Sequence, residues 1–214
     1  LHLNNNRIKR LDPGIFEGLS NLRCLYLQNN QIAFVPRGLF SDLLSVRYLT
    51  LQRNHLSVLG SGTFLGMISL KTLNLANNKI SRISDSAFHH LENLVHLLSL
   101  SHNPIGSIQP FAFKGLNKLR YLSLKNVRLK CIAVNGFFGL NNLSQLILSY
   151  NDLENINSST FTLLNNLMYL QLDGNKIAKL QPEVLKPLVS LTHLHVNSNP
   201  FNCSCKILGL LDWL

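Results

Sequence analysis

Acidic residues are scarce in this chain. Its 214 residues hold 10 Asp and Glu against 20 Lys and Arg, a formal charge of +10, and only 14% of positions are charged at all. This balance favours acidic partners such as sulfated glycans, acidic protein surfaces or anionic membranes; the competing reading is that the charge serves only to solvate the surface. Long apolar runs are missing too. None approaches the roughly 18 to 20 residues needed to span a bilayer, and no basic, apolar, small-residue leader opens the sequence.

The marks of catalysis are also lacking. No Gly-rich phosphate loop follows a strand, and neither G-x-S-x-G nor H-E-x-x-H occurs. His193 and His195 share one strand face, but an H-x-H pair with no third ligand is an incomplete metal site, and His89 and His90 read as solvated. The expectation is a non-enzymatic protein with no cofactor and no metal.

What the chain has in abundance is one pattern. From Leu22 to Leu43 it reads LRCLYLQNNQIAFVPRGLFSDL, with apolar residues at Leu22, Leu25, Leu27, Ile32, Val35, Phe40 and Leu43 and an asparagine at Asn30. Leu25 and Leu27 alternate with Cys24, Tyr26 and Gln28, so a short strand turns its leucines to one face and its polar residues to the other. A strand this short cannot bury its own leucines and needs a copy of itself on each side.

Those copies exist. The asparagine recurs at Asn6, Asn30, Asn54, Asn78, Asn103, Asn151, Asn175 and Asn199, with Val127 in the same slot between Asn103 and Asn151. The steps are 24 residues, except for 25 between Asn78 and Asn103. Ten residues after each slot stand Phe16, Phe40, Phe64, Phe88, Phe113, Phe137 and Phe161, then Leu185. L-x-x-L-x-L-x-x-N at this period is the leucine-rich repeat pattern. It predicts an α/β solenoid: a horseshoe with a parallel β-sheet on the concave face and short turns, 3-10 turns or single-turn helices on the convex face.

The repeats are expected over residues 1–199, about nine with the first incomplete. Residues 200–214 are expected to begin a truncated cysteine-rich C-terminal cap. Because Leu1 already falls inside a repeat, an N-terminal cap is expected upstream. The extra residue of the 25-residue step is placed in Leu94–Leu98, at the strand entry, where a bulge or a small change of curvature is expected to accommodate it. Val127 is expected to create a local soft spot, with Asn126 pointing outward and lost ladder bonds worth about 1 kcal/mol each.

The 24-residue repeats with Phe, and the close NPFNCSCKILGLLDWL from Asn199, resemble the typical class of extracellular leucine-rich repeat proteins, which includes Toll-like receptors, small proteoglycans and neuronal adhesion receptors. The segments RLDPGIFEGL, FVPRGLF, VLGSGTF, LSLSHNPI, IQPFAFKGL and CKILGLLDWL resemble single-pass type I membrane members of that class. The resemblance implies an outward-facing ectodomain, a membrane span outside this segment, a short cytoplasmic tail and a role in sensitising cells to cytokines. A secreted matrix or glycan-binding protein is the alternative.

Cys203 and Cys205, one residue apart, cannot bond to each other without severe strain, and Cys24 and Cys131 lie several repeats away. Their disulfide partners are therefore expected beyond Leu214, as in the capping family, which argues for an oxidising, extracellular setting. Metal binding is the competing use of a C-x-C pair, although no histidine or further cysteine follows at ligand spacing. Cys24 is expected as a free thiol on the concave side and Cys131 as a small buried filler. Asn142, Asn157 and Asn202 begin N-x-S triplets and are candidate glycosylation sites.

A column read across the strands gives the candidate binding surface. Arg23, Arg47, Lys71, His96 and Arg120 occupy one slot in five successive repeats, and Arg53, His102 and Lys125 are expected on the same face, interspersed with Tyr48, Tyr121, Tyr150 and Tyr169. Arginine and aromatic side chains on an exposed sheet are common interface anchors. The expected partner is a protein ligand or co-receptor, or an acidic glycan. Nucleic acid is set aside because the cap points outside the cell.

Overall fold

A computed structural model describes residues 1–201 apart from Ser86. The expected cap, with Cys203, Cys205 and Asn202, lies outside the described residues. Eight three-residue strands form one parallel sheet in chain order: Cys24–Tyr26, Tyr48–Thr50, Thr72–Asn74, Leu97–Ser99, Tyr121–Ser123, Gln145–Ile147, Tyr169–Gln171 and His193–His195. The molecule is a parallel-sheet solenoid, as the period predicts. Side chains alternate along each strand, so the central leucines Leu25, Leu49, Leu73, Leu98, Leu122, Leu146 and Leu170 are fully buried while their neighbours face out.

Register is one repeat per step. Leu49 pairs with Leu73, and Leu73 with Leu98 despite the extra residue between them. Leu94 is buried as Leu70 is, and beside it the His96 N–H donates to the Lys71 carbonyl at 2.9 Å while the Val95 carbonyl accepts from Arg120 at 2.8 Å. Two residues thus span the place that Lys71 fills alone, which is the expected bulge.

Among the described residues the return segments are mostly turns, with one helix of four residues at Pro182–Leu185. Proline at its first position costs nothing there, because that N–H has no intrahelical partner. Two features were not legible beforehand: the two-stranded parallel sheets Val58–Leu59 with Arg82–Ile83, and Ser107–Ile108 with Cys131–Ile132. Cys131 is exposed on the second of them, not buried. Its neighbour Ile132 supplies the inward side chain, and strand alternation turns the thiol out.

The phenylalanines form the expected spine. Ring centroids from Phe64 through Phe88, Phe113, Phe137 and Phe161 follow at 6.1–6.2 Å with planes within 17° of each other, and Phe16 meets Phe40 at 6.0 Å. All are buried, and each ring removes about 150–250 Å² from water only because the next rung covers it.

The asparagines join the rungs. The Asn54 amide donates to the Leu27 carbonyl of the previous turn and the Leu51 carbonyl of its own, both at 3.0 Å, while its Oδ1 accepts from Ile32 N at 3.0 Å. Asn30, Asn78, Asn103, Asn151, Asn175 and Asn199 repeat the arrangement. Asn6 differs: it is exposed and donates only to Leu3 and Asn4 in its own turn.

Val127 is fully buried and has no amide to offer. Ile105 N, which would have met it, closes on the Asn103 carbonyl at 2.9 Å, and Gly106 N donates to the Val127 carbonyl at 3.0 Å. Asn126 does not substitute, since its amide meets His102 Nδ1 at 3.0 Å on the outside. Asn151 compensates, its Oδ1 accepting from both Val127 N at 2.8 Å and Leu129 N at 3.0 Å. Asn175 Oδ1 accepts only from Leu153 N. A buried group left unpaired costs about 1–3 kcal/mol. We therefore expect Asn151→Ala to lower unfolding free energy by more than Asn175→Ala, by about 1 kcal/mol; equal urea midpoints for the two variants would contradict this.

Candidate functional site

The residues ahead of the strands form a row. The Arg23 carbonyl accepts from Arg47 N at 2.8 Å, the Arg47 carbonyl from Lys71 N at 2.9 Å and the Lys71 carbonyl from His96 N at 2.9 Å; Arg120 joins through Val95. Backbone pairing therefore sets these five side chains on neighbouring strands, about 4.8 Å apart. Lys71 is half-buried and the other four are exposed. None is in an ion pair; among the described residues the one salt bridge joins Lys176 to Asp152 at 2.6 Å, outside the concave strands. Asp173, the acid of the concave strands, accepts from Ser149 Oγ at 2.7 Å.

The other candidates do not share that row. Arg53, His102 and Tyr150 each directly precede a ladder residue, at the far end of the strand segment. Lys125 sits near them, its Nζ 4.8 Å from the centroid of the Tyr150 ring, a cation–π contact. Tyr48, Tyr121 and Tyr169 lie in between, on the strands themselves. The predicted surface is thus two basic margins flanking a polar and aromatic floor. Six residues at about 3.3 Å each separate the margins by roughly 20 Å.

Sequence reading missed part of the floor. Tyr26 bridges His2, at 4.4 Å between centroids, and Tyr48, at 5.3 Å, so one end carries an aromatic run. At the other end Tyr169 packs against His193 at 5.5 Å and His195 at 5.0 Å, which occupies these histidines with an aromatic contact. Between the ends Asn74, Ser99 and Ser123 leave a hollow of about 650 Å³, bordered by His96, Arg120 and Tyr121. The small column residues were visible in the sequence; reading the slots two apart for size as well as charge would have found the hollow.

Arg53, His102 and Tyr150 also share a backbone oddity. Their φ angles are 54°, 59° and 57°, in the left-handed region, where Asn5, Asn29 and Asn77 stand in other repeats. Asparagine tolerates that conformation and bulky side chains resist it, so these three turns carry strain of the sort that collects at functional surfaces. Asn142 and Asn157, the described glycosylation candidates, are exposed outside the sheet. The Asn142 amide donates to the Asn117 carbonyl at 2.6 Å, while Asn157 Oδ1 accepts from Ser159 N and Oγ, which leaves its Nδ2 free.

Two measurements check this geometry. Tyr150→Asn is expected to raise unfolding free energy by about 0.5–1 kcal/mol by relieving the left-handed strain, and an unchanged or lower melting point would refute it. The Tyr26 hydroxyl is held above its ordinary value of 10.0, first by desolvation and then by the Cys24 thiol. Because the folded value is the higher, its contribution to stability is complete below that ordinary value and lost as pH rises through the folded one. Spectrophotometric titration should show one tyrosine ionising late, and Cys24→Ala should bring it only part of the way down.

Known proteins agree with this architecture. The family model described as leucine rich repeat matches residues 1–56, 45–98, 95–153 and 144–201. No curated protein sequence matches the chain. Among solved structures it is similar to TLR13 in its complex with ssRNA13, at 33% identity and a TM-score of 0.83 over 90% of this chain and 28% of that one. It is also similar to a leucine-rich repeat protein of Leptospira interrogans, at 26% identity and 0.80 over the whole chain and 58% of that protein. The chain therefore spans less than two thirds of the length of either. With family matches overlapping from the first residue to Phe201, and successive strands of one parallel sheet joined by asparagine ties in every slot from Asn30 to Asn199 but that of Val127, the chain belongs to the leucine-rich repeat family.

Proposed function

We propose that this chain is the ligand-binding part of a leucine-rich repeat membrane receptor or co-receptor, and that an acidic protein or glycan docks on its concave sheet. One observation carries the reading. Five cations or titratable bases stand on consecutive strands with no acidic partner among the described residues, an arrangement that costs stability through like-charge repulsion and is relieved by an acidic ligand. The aromatic runs at both ends supply apolar anchors, and the strained Arg53, His102 and Tyr150 turns suit a face kept for recognition.

The finer reading is an ectodomain at the outer face of the plasma membrane, anchored by one downstream span, that modulates cytokine responsiveness. Its support is the resemblance of RLDPGIFEGL, FVPRGLF, VLKPL and CKILGLLDWL to synleurin, a single-pass type I membrane protein. Glycans at Asn157 and Asn142 and disulfides from Cys203 and Cys205 belong to the same reading. Secretion into the matrix as a glycan-binding protein is its alternative.

A second reading concerns nucleic acid, which the sequence argument set aside. TLR13, the similar structure at 33% identity, is in complex with single-stranded RNA, and a basic groove floored by stacking rings is the usual design for binding single strands. The stacked His2 and Tyr26, with Tyr48 tilted beside them near Arg23 and Arg47, favour it.

Heparin and a single-stranded RNA oligonucleotide separate these ideas. Changing Arg23, Arg47 and Arg120 to Ser should weaken both and flatten the salt dependence, since each lost contact with an anion removes about one released counterion. Tyr26→Ala with Tyr48→Ala should weaken only RNA, because base stacking is worth about 1–3 kcal/mol per base and a sulfated glycan has no bases to stack. If heparin binding survives the three arginine changes intact, the concave docking reading falls.

A further inference from the structure

One seam of the solenoid is open on its return side. After Asn30, Asn54, Asn78, Asn151 and Asn175 the next residue donates its N–H to the turn before: Gln31 to Ile8, His55 to Ile32, Lys79 to Leu56, Asp152 to Leu129 and Lys176 to Leu153, all at 2.8–2.9 Å. Arg128 is turned away at a φ of 58°, but its seam is closed by Gly106 N to the Val127 carbonyl, by Lys130 N to the Gly106 carbonyl, and by a strand pair. The residue after Asn103 is Pro104, which has no N–H to give. Among the described residues no backbone hydrogen bond joins 79–85 to 104–112.

Two sheet edges are left facing each other. The strand Arg82–Ile83 pairs only with Val58–Leu59, and Ser107–Ile108 pairs only with Cys131–Ile132. Between them lies a groove of about 1050 Å³, comparable in size to the roughly 300–1,000 Å³ of ligand sites. Its floor is already packed, with Ile83, Ile105 and Ile108 buried, so what it offers is backbone edge and rim. An open strand edge is a template for another strand, and a groove between two such edges can pair with an inserted strand on both sides.

The rim adds selectivity. Phe111 is held at a φ of 59° by its N–H bond to the Asn135 carbonyl at 3.0 Å, so its ring stays 46% exposed, edge-on to Phe138 at 5.2 Å between centroids. Phe111 lines the groove, and with Phe138, itself 39% exposed, it makes an apolar shelf there. Arg82 and Asp85 both line the groove and are exposed, and neither is in an ion pair among the described residues, so the rim offers one charge of each sign. The +10 charge of the whole chain repels a second copy and attracts an acidic segment, and within the groove Arg82 is the group an acidic side chain would meet.

We propose that this groove takes an extended segment of a partner polypeptide, which enters as a strand between the two open edges, rests an apolar side chain on the Phe111 shelf and sets an acidic one against Arg82. The site lies outside the concave sheet and does not depend on what that sheet binds.

The test begins with a display library of random linear peptides selected against the whole chain. Recovered peptides should slow hydrogen exchange in residues 81–84 and 105–110 together, and should bind Arg82→Glu and Phe111→Ser about tenfold more weakly, as befits anchor positions. They should bind the variant with Arg23, Arg47 and Arg120 changed to Ser as tightly as the native chain. Should Phe111→Ser melt early, Arg82→Glu alone decides. Failure to recover any binder, protection confined to the concave strands, or undiminished affinity for Arg82→Glu overturns the proposal.

Discussion

A single carboxamide that satisfies two backbones at once is the interaction on which this molecule depends. A leucine-rich rung brings its apolar side chains inward, but in doing so it drags carbonyl and N–H groups of the turn into the same dry interior, where an unpaired group costs about 1–3 kcal/mol. The asparagine amide meets both needs: it donates to the carbonyl ending its own strand and to that of the rung before, and its oxygen accepts from the preceding turn. Hydrophobic burial decides that rungs stack, and the amide decides at what register they stack. The in-register strand sheet follows, with Leu49 opposite both Leu25 and Leu73.

That division of labour explains which features were legible in the sequence. The Phe spine, the buried central leucines and the bulge at Val95–His96 follow from side-chain period alone, and period survives translation into structure because a slip of one residue would turn Leu25 or Leu73 to water. The basic row was equally legible, since its members hold one slot on consecutive strands. Its separation from Arg53, His102 and Lys125 was not: they share a face, but they stand at opposite ends of a segment whose length has to be counted in residues as well as alternation. Tyr26 escaped notice for a related reason. Its importance lies in two neighbours, His2 directly opposite on the rung before and Tyr48 in the adjoining slot of the rung after, and a run that turns diagonal at one step is not a column.

The Cys131 expectation failed on local grounds. Small apolar side chains in a return segment are often filler, but Ile132 already supplies the inward residue there, and the short pairing with Ser107–Ile108 imposes alternation on a stretch that reads as a loop. Pairing of two residues leaves no periodic trace long enough to see. Such sheets form where the ladder beside them is intact or can be rearranged, and they are invisible until the rungs are stacked.

Two departures from the repeat, Val127 and Pro104, have opposite consequences for this reason. Val127 removes side-chain partners from the preceding turn, yet Ile105 and Gly106 there keep their N–H groups and redirect them, Ile105 back onto Asn103 and Gly106 onto Val127, so the seam closes by another route. Pro104 removes a backbone donor, and no rotation of a neighbouring turn can restore a hydrogen that the ring nitrogen lacks. Redirecting Ile105 and Gly106 toward the later rung also leaves fewer groups to reach the earlier one, so the repair at Val127 deepens the gap at Pro104. Asn103 still holds the two rungs through Ile80 N at 3.0 Å and the Leu75 carbonyl at 3.0 Å, which keeps the concave sheet continuous while the return side stands open. A repeat protein can therefore acquire a new cleft without losing its scaffold, provided the proline falls next to an asparagine that still ties both backbones.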